Sequence, residues 1–169
     1  MMKLNIRQEK PGDEVAIVEV TRAAFNINAC ADGTEHALAG KLREVGSLVL
    51  SLVATQGKNI IGHVALSPAK VGDVKCLCLR PVAVHPNYQK LGIGSALVNH
   101  AVAVSGIYGR GGVVLMGDPT FYGRLGFVAE VGPTFYGKPS KHLQINGFDI
   151  TPVGDAVFHP VFDAKNFSE

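Results

Sequence analysis

Tryptophan is absent from these 169 residues, cysteine appears only three times, and neither charge sign dominates. No apolar run approaches the roughly 18 residues that a membrane-spanning helix needs. The densest run, "SLVLSLVA" (Ser47 to Ala54), has strand length, so nothing in the sequence reads as a membrane segment. Lys and Arg number 16 against 14 Asp and Glu, for a net charge of +2, and they are scattered. A nucleic-acid partner would call for a basic stripe with interleaved aromatics, and none is present. Cys30, Cys76 and Cys78 are too few and wrongly spaced for a zinc site or a disulfide framework. No other motif requires a metal. Cys76 and Cys78 alternate in "CLC", which puts both on one face of a strand as buried apolar thiols. The opening "MMKLNIRQEKPGDEV" has no apolar core of the secretory type. The expected setting is reducing and cytoplasmic.

What is present describes a globular chain, with 47% hydrophobic and 18% charged residues. A chain this long is expected to make a single domain, residues 1–169, with a real core. "KLNIRQ" (Lys3 to Gln8) alternates as a first strand. Pro11 to Glu14 open a helix with Val15, Ile17, Val18, Val20 and Phe25 at its apolar positions. A second helix is predicted from Thr34 to about Val45, with Leu38 and Leu42 on one face and Gly46 as its stop. "SLVLSLVAT" and "KNIIGHVALS" read as a hairpin around Gln56-Gly57, and "KCLCLRPVAV" as the next strand.

"GIGSALVNHAVAVS" then reads as a helix with Ile93, Leu97, Ala101 and Val104 on one face, ended by Ser105-Gly106. "GVVLMG" (Gly112 to Gly117) is a buried-type strand, and "PTFYGRLGF" begins a short helix. Strand, helix and strand make a crossover, so the strands on either side of the helix should be parallel. From Val128 onward Gly and Pro are frequent and the strands short, "HLQI" and "AVFH" among them. The expected class is a mixed α/β fold.

Within "VHPNYQKLGIGSAL" an apolar strand meets a helix through a polar corner and two close glycines. Glycine in a helix costs roughly 1 kcal/mol against alanine, so its use there needs a reason. Free backbone N–H groups and the helix dipole favour an anion at such a corner, and glycine lets a bulky diphosphate approach. The P-loop pattern fails because no Gly-Lys-Ser/Thr ends the motif. The dinucleotide fingerprint fails because Leu97 stands where its third glycine belongs. "QKLGIG" instead fits Q/R-x-x-G-x-G/A, with Gln89, Gly92 and Gly94 in register.

Together, "PVAVHPNYQKLGIGSAL" and "DPTFYGRLGF" resemble the two cofactor-binding motifs of the GNAT superfamily of acyl-CoA-dependent N-acyltransferases. With "LSLVAT", "GHVALSP" and "FHPVFD" in order, the likeness is greatest to its YhbS-like bacterial branch. The resemblance implies a centrally splayed β-sheet flanked by helices, with acetyl-CoA as acyl donor. It implies that the main-chain N–H groups of Gln89, Lys90, Leu91, Gly92, Ile93, Gly94 and Ser95 surround the pyrophosphate. Pro81 would mark a bulge that opens the sheet, freeing peptide groups of Val82, Ala83 and Val84 for the pantetheine amides. Lys90 adds a solvated charge near the phosphates.

Acyl transfer to nitrogen needs a proton removed from an amine and supplied to the leaving thiolate. Tyr122 in "TFYGRLGF" matches the position of a tyrosine that serves many relatives as general acid; the alternative is a packed, hydrogen-bonded structural tyrosine. The fourth strand lacks the glutamate some relatives use as base. Glu35 matches an acidic position of the YhbS-like branch and is a candidate base or acceptor contact, or simply complements its helix dipole. His63 is either a base or a satisfied sheet histidine. "LMGDPT" replaces an asparagine that many relatives use to hold the cofactor. There Gly117 offers pantetheine a close approach, and Asp118 reads as the cap of the short helix. The expected function is acetyl transfer from acetyl-CoA to a primary amine, on a small molecule or a peptide, by direct transfer. The rival is a coenzyme A-binding sensor or scaffold. Dimers are common in the family, so a homodimer is allowed for, although no segment announces an interface.

Overall fold

The "SLVLSLVAT" and "KNIIGHVALS" segments alternate around a two-residue turn, and they do form a hairpin. β2 (Leu50–Gln56) and β3 (Asn59–Val71) pair antiparallel, and β3 continues through a second tight turn into β4 (Val74–Val84). The computed structural model describes residues 3–26, 33–108 and 111–163; Cys30 lies outside them.

β3 is longer than the sequence suggests, because Pro68 reads as a strand breaker. The partner of β3 changes at that point. Its pairing with β2 ends at Leu66, and its pairing with β9 (Gly154–Phe158) begins at Ala69. Pro68 falls in the gap, where a missing N–H costs no ladder bond on that edge.

β1 (Leu4–Gln8) adds to β2, and helices α1 (Glu14–Asn26) and α2 (Glu35–Glu44) intervene before it. α1 buries Ile17, Val20, Thr21 and Ala24, an i, i+3, i+4, i+7 stripe, while Val15 is exposed. α2 buries Leu38 and Leu42 as predicted, and Val161 from the C-terminal segment packs against them.

After β4 come α3 (Ile93–Ser105), β5 (Val113–Met116), α4 (Pro119–Gly123), β6 (Val128–Ala129), β7 (Pro133–Thr134) and β8 (Leu143–Asn146). The strand order is β1-β2-β3-β4-β5-β8-β6, with β9 paired to both β3 and β7. β4 and β5 are parallel, as a crossover through α3 requires. Their ladder holds only at Leu77↔Val113 and Cys78↔Val114. Beyond it, among the described residues, β4 runs on to Val84 with no strand on that side, and β5 pairs only with β8. The sheet is therefore splayed at its centre.

Pro81 sits where the β3–β4 register slips, between Leu66↔Leu79 and Val64↔Val82, so Arg80 and Pro81 together oppose Ala65. The Arg80–Pro81 peptide is cis.

Alternation gives the sheet two unlike faces. Leu52, Val64, Leu66, Leu77, Leu79, Val113 and Leu115 meet α3 through Ile93, Leu97, Val98 and Ala101 in one large aliphatic cluster. Val104, predicted for that stripe, is half-buried, and Val98 takes the larger share. The opposite face carries Ser51, Val53, His63, Ala65, Ser67, Cys76 and Cys78, by the same registers. Both described thiols are free and buried. Among the described residues no helix is long and apolar enough to cross a membrane, and no cluster of three or more His, Cys, Asp or Glu could hold a metal.

Candidate active site

The corner after β4 is built by local hydrogen bonds. His85 Nδ1 accepts the N–H of Asn87 at 3.2 Å, capping a 3-10 turn over Pro86–Tyr88. The Gln89 side chain reaches back and donates to the Val84 carbonyl at 3.0 Å. Gln89 thus braces the corner through its amide, a role the motif spacing alone did not reveal. It also occupies one of the β4 carbonyls expected for pantetheine.

Lys90 (φ 62°) and Gly92 (φ 81°) are both left-handed, which bends the chain so that α3 begins at Ile93. A β-carbon on Gly92 would meet nothing within 4 Å, so it is the backbone angle that favours glycine there. One on Gly94 would make ordinary contacts with Phe121 and Val84 at 3.6 Å, so alanine would fit too. That is what a G-x-G/A pattern permits.

Among the described residues no backbone carbonyl accepts the N–H groups from Lys90 to Ser95; the first to be used is that of Ala96, which donates to Gly92 at 3.0 Å. A run of unpaired donors at the start of a 13-residue helix is an anion site in waiting. Leu91 and Gly92 are exposed there, and Ile93 points its side chain into the core, at 1% exposure, leaving only its main chain for a ligand.

Tyr122 is set at the splay by its ring. The Asp118 carboxylate accepts the Thr120 N–H at 2.9 Å, capping α4 as predicted. The Tyr122 ring lies edge-on to Phe121 and Phe127, with centroids 4.8 and 5.7 Å away. Its hydroxyl has no hydrogen-bond partner among the described residues. The ring is thus packed as in the structural alternative, without that alternative's hydrogen bond among the described residues. Burial first, then proximity to Cys78 and to Asp118, pushes its pKa up to about 12, so the hydroxyl keeps its proton.

Gly117 has a different job from the one expected. A β-carbon there would collide with the Tyr122 ring, 2.5 Å from Cε2. Its N–H donates to the His142 carbonyl at 2.9 Å, and its carbonyl accepts from Gln144 Nε2 at 3.1 Å. The glycine seats the tyrosine and has no free main-chain group to offer pantetheine. Sequence reasoning passed over Gln144; the signal was a lone amide within the strand "HLQI".

His63 is fully buried on the α1/α2 face. Its Nε2 lies 2.8 Å from Ser51 Oγ, and Ser51 donates to Glu9 Oε2 at 2.6 Å. Glu9 is itself clamped by Arg43, with contacts of 2.8 to 3.0 Å. Burial, reinforced by Arg43, drives the His63 pKa down to about 3. The imidazole is therefore neutral at pH 7, and too weak a base to take an amine proton. Its Nε2 is satisfied by Ser51, as a sheet histidine's would be, and Nδ1 has no partner among the described residues.

Glu35 is the first residue of α2 and is buried at 6% exposure; its carboxylate accepts the Gly33 N–H at 3.1 Å. The structure brings Tyr122, Gly117 and the glycine corner to the splay. Glu35 and His63 belong to the other layer, under α1 and α2. A separate groove of about 610 Å³ runs along α1, the β2–β3 turn and His85–Tyr88, and neither Tyr122 nor the glycines line it.

The chain matches the model of an acetyltransferase (GNAT) domain over residues 48–129. No curated protein matches it. A GNAT family acetyltransferase from Brucella melitensis, solved in complex with acetyl-CoA, is 35% identical. The two share a TM-score of 0.83, over 96% of this chain and 100% of that one. Escherichia coli YhbS, a GNAT family N-acetyltransferase solved with CoA, is 29% identical with a TM-score of 0.82, over 96% and 93% of the two chains. PaiA N-acetyltransferase from Thermoplasma acidophilum shares the fold at 17% identity, with a TM-score of 0.61 over 87% of this chain and all of that one. With the splayed sheet, the open donor run at α3 and a relative matched along its full length, this chain belongs to the GNAT family, the N-acetyltransferases that draw their acetyl group from acetyl-CoA.

Proposed function

We propose that the chain transfers acetyl from acetyl-CoA directly to a primary amine of a small molecule or peptide, at the splay between β4 and β5. The observation that carries this reading is the series of N–H groups from Lys90 to Ser95 that no backbone carbonyl accepts among the described residues, at the start of the helix that follows the splayed end of β4. Those N–H groups hold the diphosphate, and the edge of Val82 to Val84, apart from the Val84 carbonyl that Gln89 holds, receives the pantetheine amides. The thioester carbonyl carbon then lies near Tyr122.

The new C–N bond forms as the C–S bond breaks, and the amine gives up a proton. A lysine-like amine has a pKa near 10.4, so only about one molecule in 10³ to 10⁴ is nucleophilic at pH 7. With His63 neutral and weakly basic, Glu35 or a water near it is the group that takes the proton. Tyr122 hydrogen-bonds the departing sulfur. A phenol at about 12 is a poorer acid than a thiol, at roughly 8.5. It therefore stabilises the developing thiolate as a donor, and the thiolate takes its final proton from solvent.

Acetyl-CoA should raise the melting temperature far more than ATP or NAD does, and equal shifts would remove the cofactor assignment. Gly92→Asp should abolish that shift, because it places a like charge against the diphosphate and forces a side chain onto left-handed backbone. An amine and peptide panel, followed by thiol release and product mass, identifies the acceptor.

A further inference from the structure

Gln144 is a polar side chain in an apolar place. It is registered opposite Leu115, a member of the large aliphatic cluster, and is only 1% exposed. An aliphatic side chain would sit there without burying a polar group, so the amide is explained by the bonds it makes. Nε2 donates to the Gly117 carbonyl at 3.1 Å and to the His142 carbonyl at 3.4 Å. Both partners can only accept, which fixes the NH2 end of the amide toward them.

Gly117 is held by both its N–H and its carbonyl. The N–H donates to the His142 carbonyl at 2.9 Å, and the carbonyl accepts a second bond, from His142 Nδ1, at 3.2 Å. His142 must therefore carry a hydrogen on Nδ1. The last ladder pair of β5 and β8 is Met116↔Leu143. The side chains of Gln144 and His142 carry the grip one residue further, to where the chain leaves the sheet for α4.

What they grip is the seat of Tyr122. The main chain of Tyr122 is fixed, its carbonyl accepting from Leu125 and Phe127 at 3.0 and 3.2 Å. Its hydroxyl has no partner among the described residues, so contacts of the ring alone aim it. Phe121 and Phe127 meet the ring edge-on, and bare Gly117 is the third wall, where a β-carbon would strike Cε2. Asp118, the cap of α4, follows Gly117 directly. A shift of Gly117 would move both the helix that carries the tyrosine and the surface its ring rests on.

We propose that Gln144, assisted by His142, is a positioning residue for the transfer step: its amide fixes Gly117, and through Gly117 the direction of the Tyr122 hydroxyl. The proposal rests on the acetyl-transfer reading, in which that hydroxyl hydrogen-bonds the departing sulfur. Misplacing such a group by about 1 Å costs rate, whereas diphosphate binding at the α3 corner does not depend on it.

Gln144→Leu keeps the bulk of the side chain and removes its donors. It should lower kcat about tenfold and leave the acetyl-CoA KM unchanged. In a Tyr122→Phe background the same substitution should change kcat less than about twofold, because the hydroxyl it aims is gone. Equal losses in the two backgrounds, or an unchanged kcat in the single variant, would overturn the proposal. A second readout is independent of turnover. The chain has four tyrosines, and after labelling with fluorotyrosine the Tyr122 signal is the one missing from Tyr122→Phe. Gln144→Leu should shift that ¹⁹F signal and leave those of Tyr88, Tyr108 and Tyr136 in place. An unmoved Tyr122 signal overturns the proposal whatever the turnover, and failure of every amine to be acetylated overturns the transfer reading instead. Should Gln144→Leu not fold, His142→Phe, at an exposed position, removes the other donor to the same carbonyl. It should then show the same pattern at about threefold, and the same outcomes decide.

Discussion

The two faces of the central sheet are made by the same strands, yet they are built to opposite rules. Under α3 the side chains are aliphatic and interlocked, from Leu52 across to Leu115. Under α1 and α2 they include Ser51, His63 and Ser67, and His63 Nδ1 has no partner among the described residues. A face built for stability would fill its volume and satisfy its donors. The difference teaches that one face is held by aliphatic packing while the other carries a buried polar chain from His63 through Ser51 and Glu9 to Arg43.

The largest effect that would sharpen the contrast is acid sensitivity on the polar face. His63 binds a proton below about 6.5 when unfolded but only near pH 3 when folded. The unfolded state thus holds more protons in that window, and stability should fall by several kcal/mol as pH drops from about 6.5 towards 3. His63→Gln should flatten that limb in denaturant titrations; a limb of unchanged depth would show that His63 is not buried neutral.

Leu97 is fully buried on the other face, and Leu97→Ala should cost about 2–5 kcal/mol in the same titrations. It should leave the amine KM alone, and a selective rise in that KM would break the division between the faces. Between them, at the splay, Tyr122→Phe should fold and bind acetyl-CoA normally but lower kcat about 10²-fold. Unchanged turnover would remove the hydroxyl from the chemistry. The smallest effect is dynamic. Amides of α1 and α2 should exchange hydrogen through an opening that leaves α3 protected, and equal protection would mean that the polar face does not open.

Local features were legible before the fold was seen. The glycine corner, the Asp118 cap and the bulge at Pro81 each depend on residues close in sequence. The reach of β3 past Pro68 was not, because only the exchange of β2 for β9 makes proline tolerable there. Gly117 misled for a similar reason: its small size serves a ring five residues on. The link from His63 through Ser51 to Glu9 and Arg43 joins β3, β2, the residue after β1 and α2, and has no local signature. Of the candidate site, the cofactor half was readable from motifs, whereas no local motif marks the acceptor half.

The ¹⁵N spectrum of His63 tests the contrast between the two faces most directly. At pH 7 the account predicts a neutral ring protonated at Nε2, because Ser51 gives its hydrogen to Glu9 and accepts from the imidazole. A ring already protonated at pH 7 would contradict it.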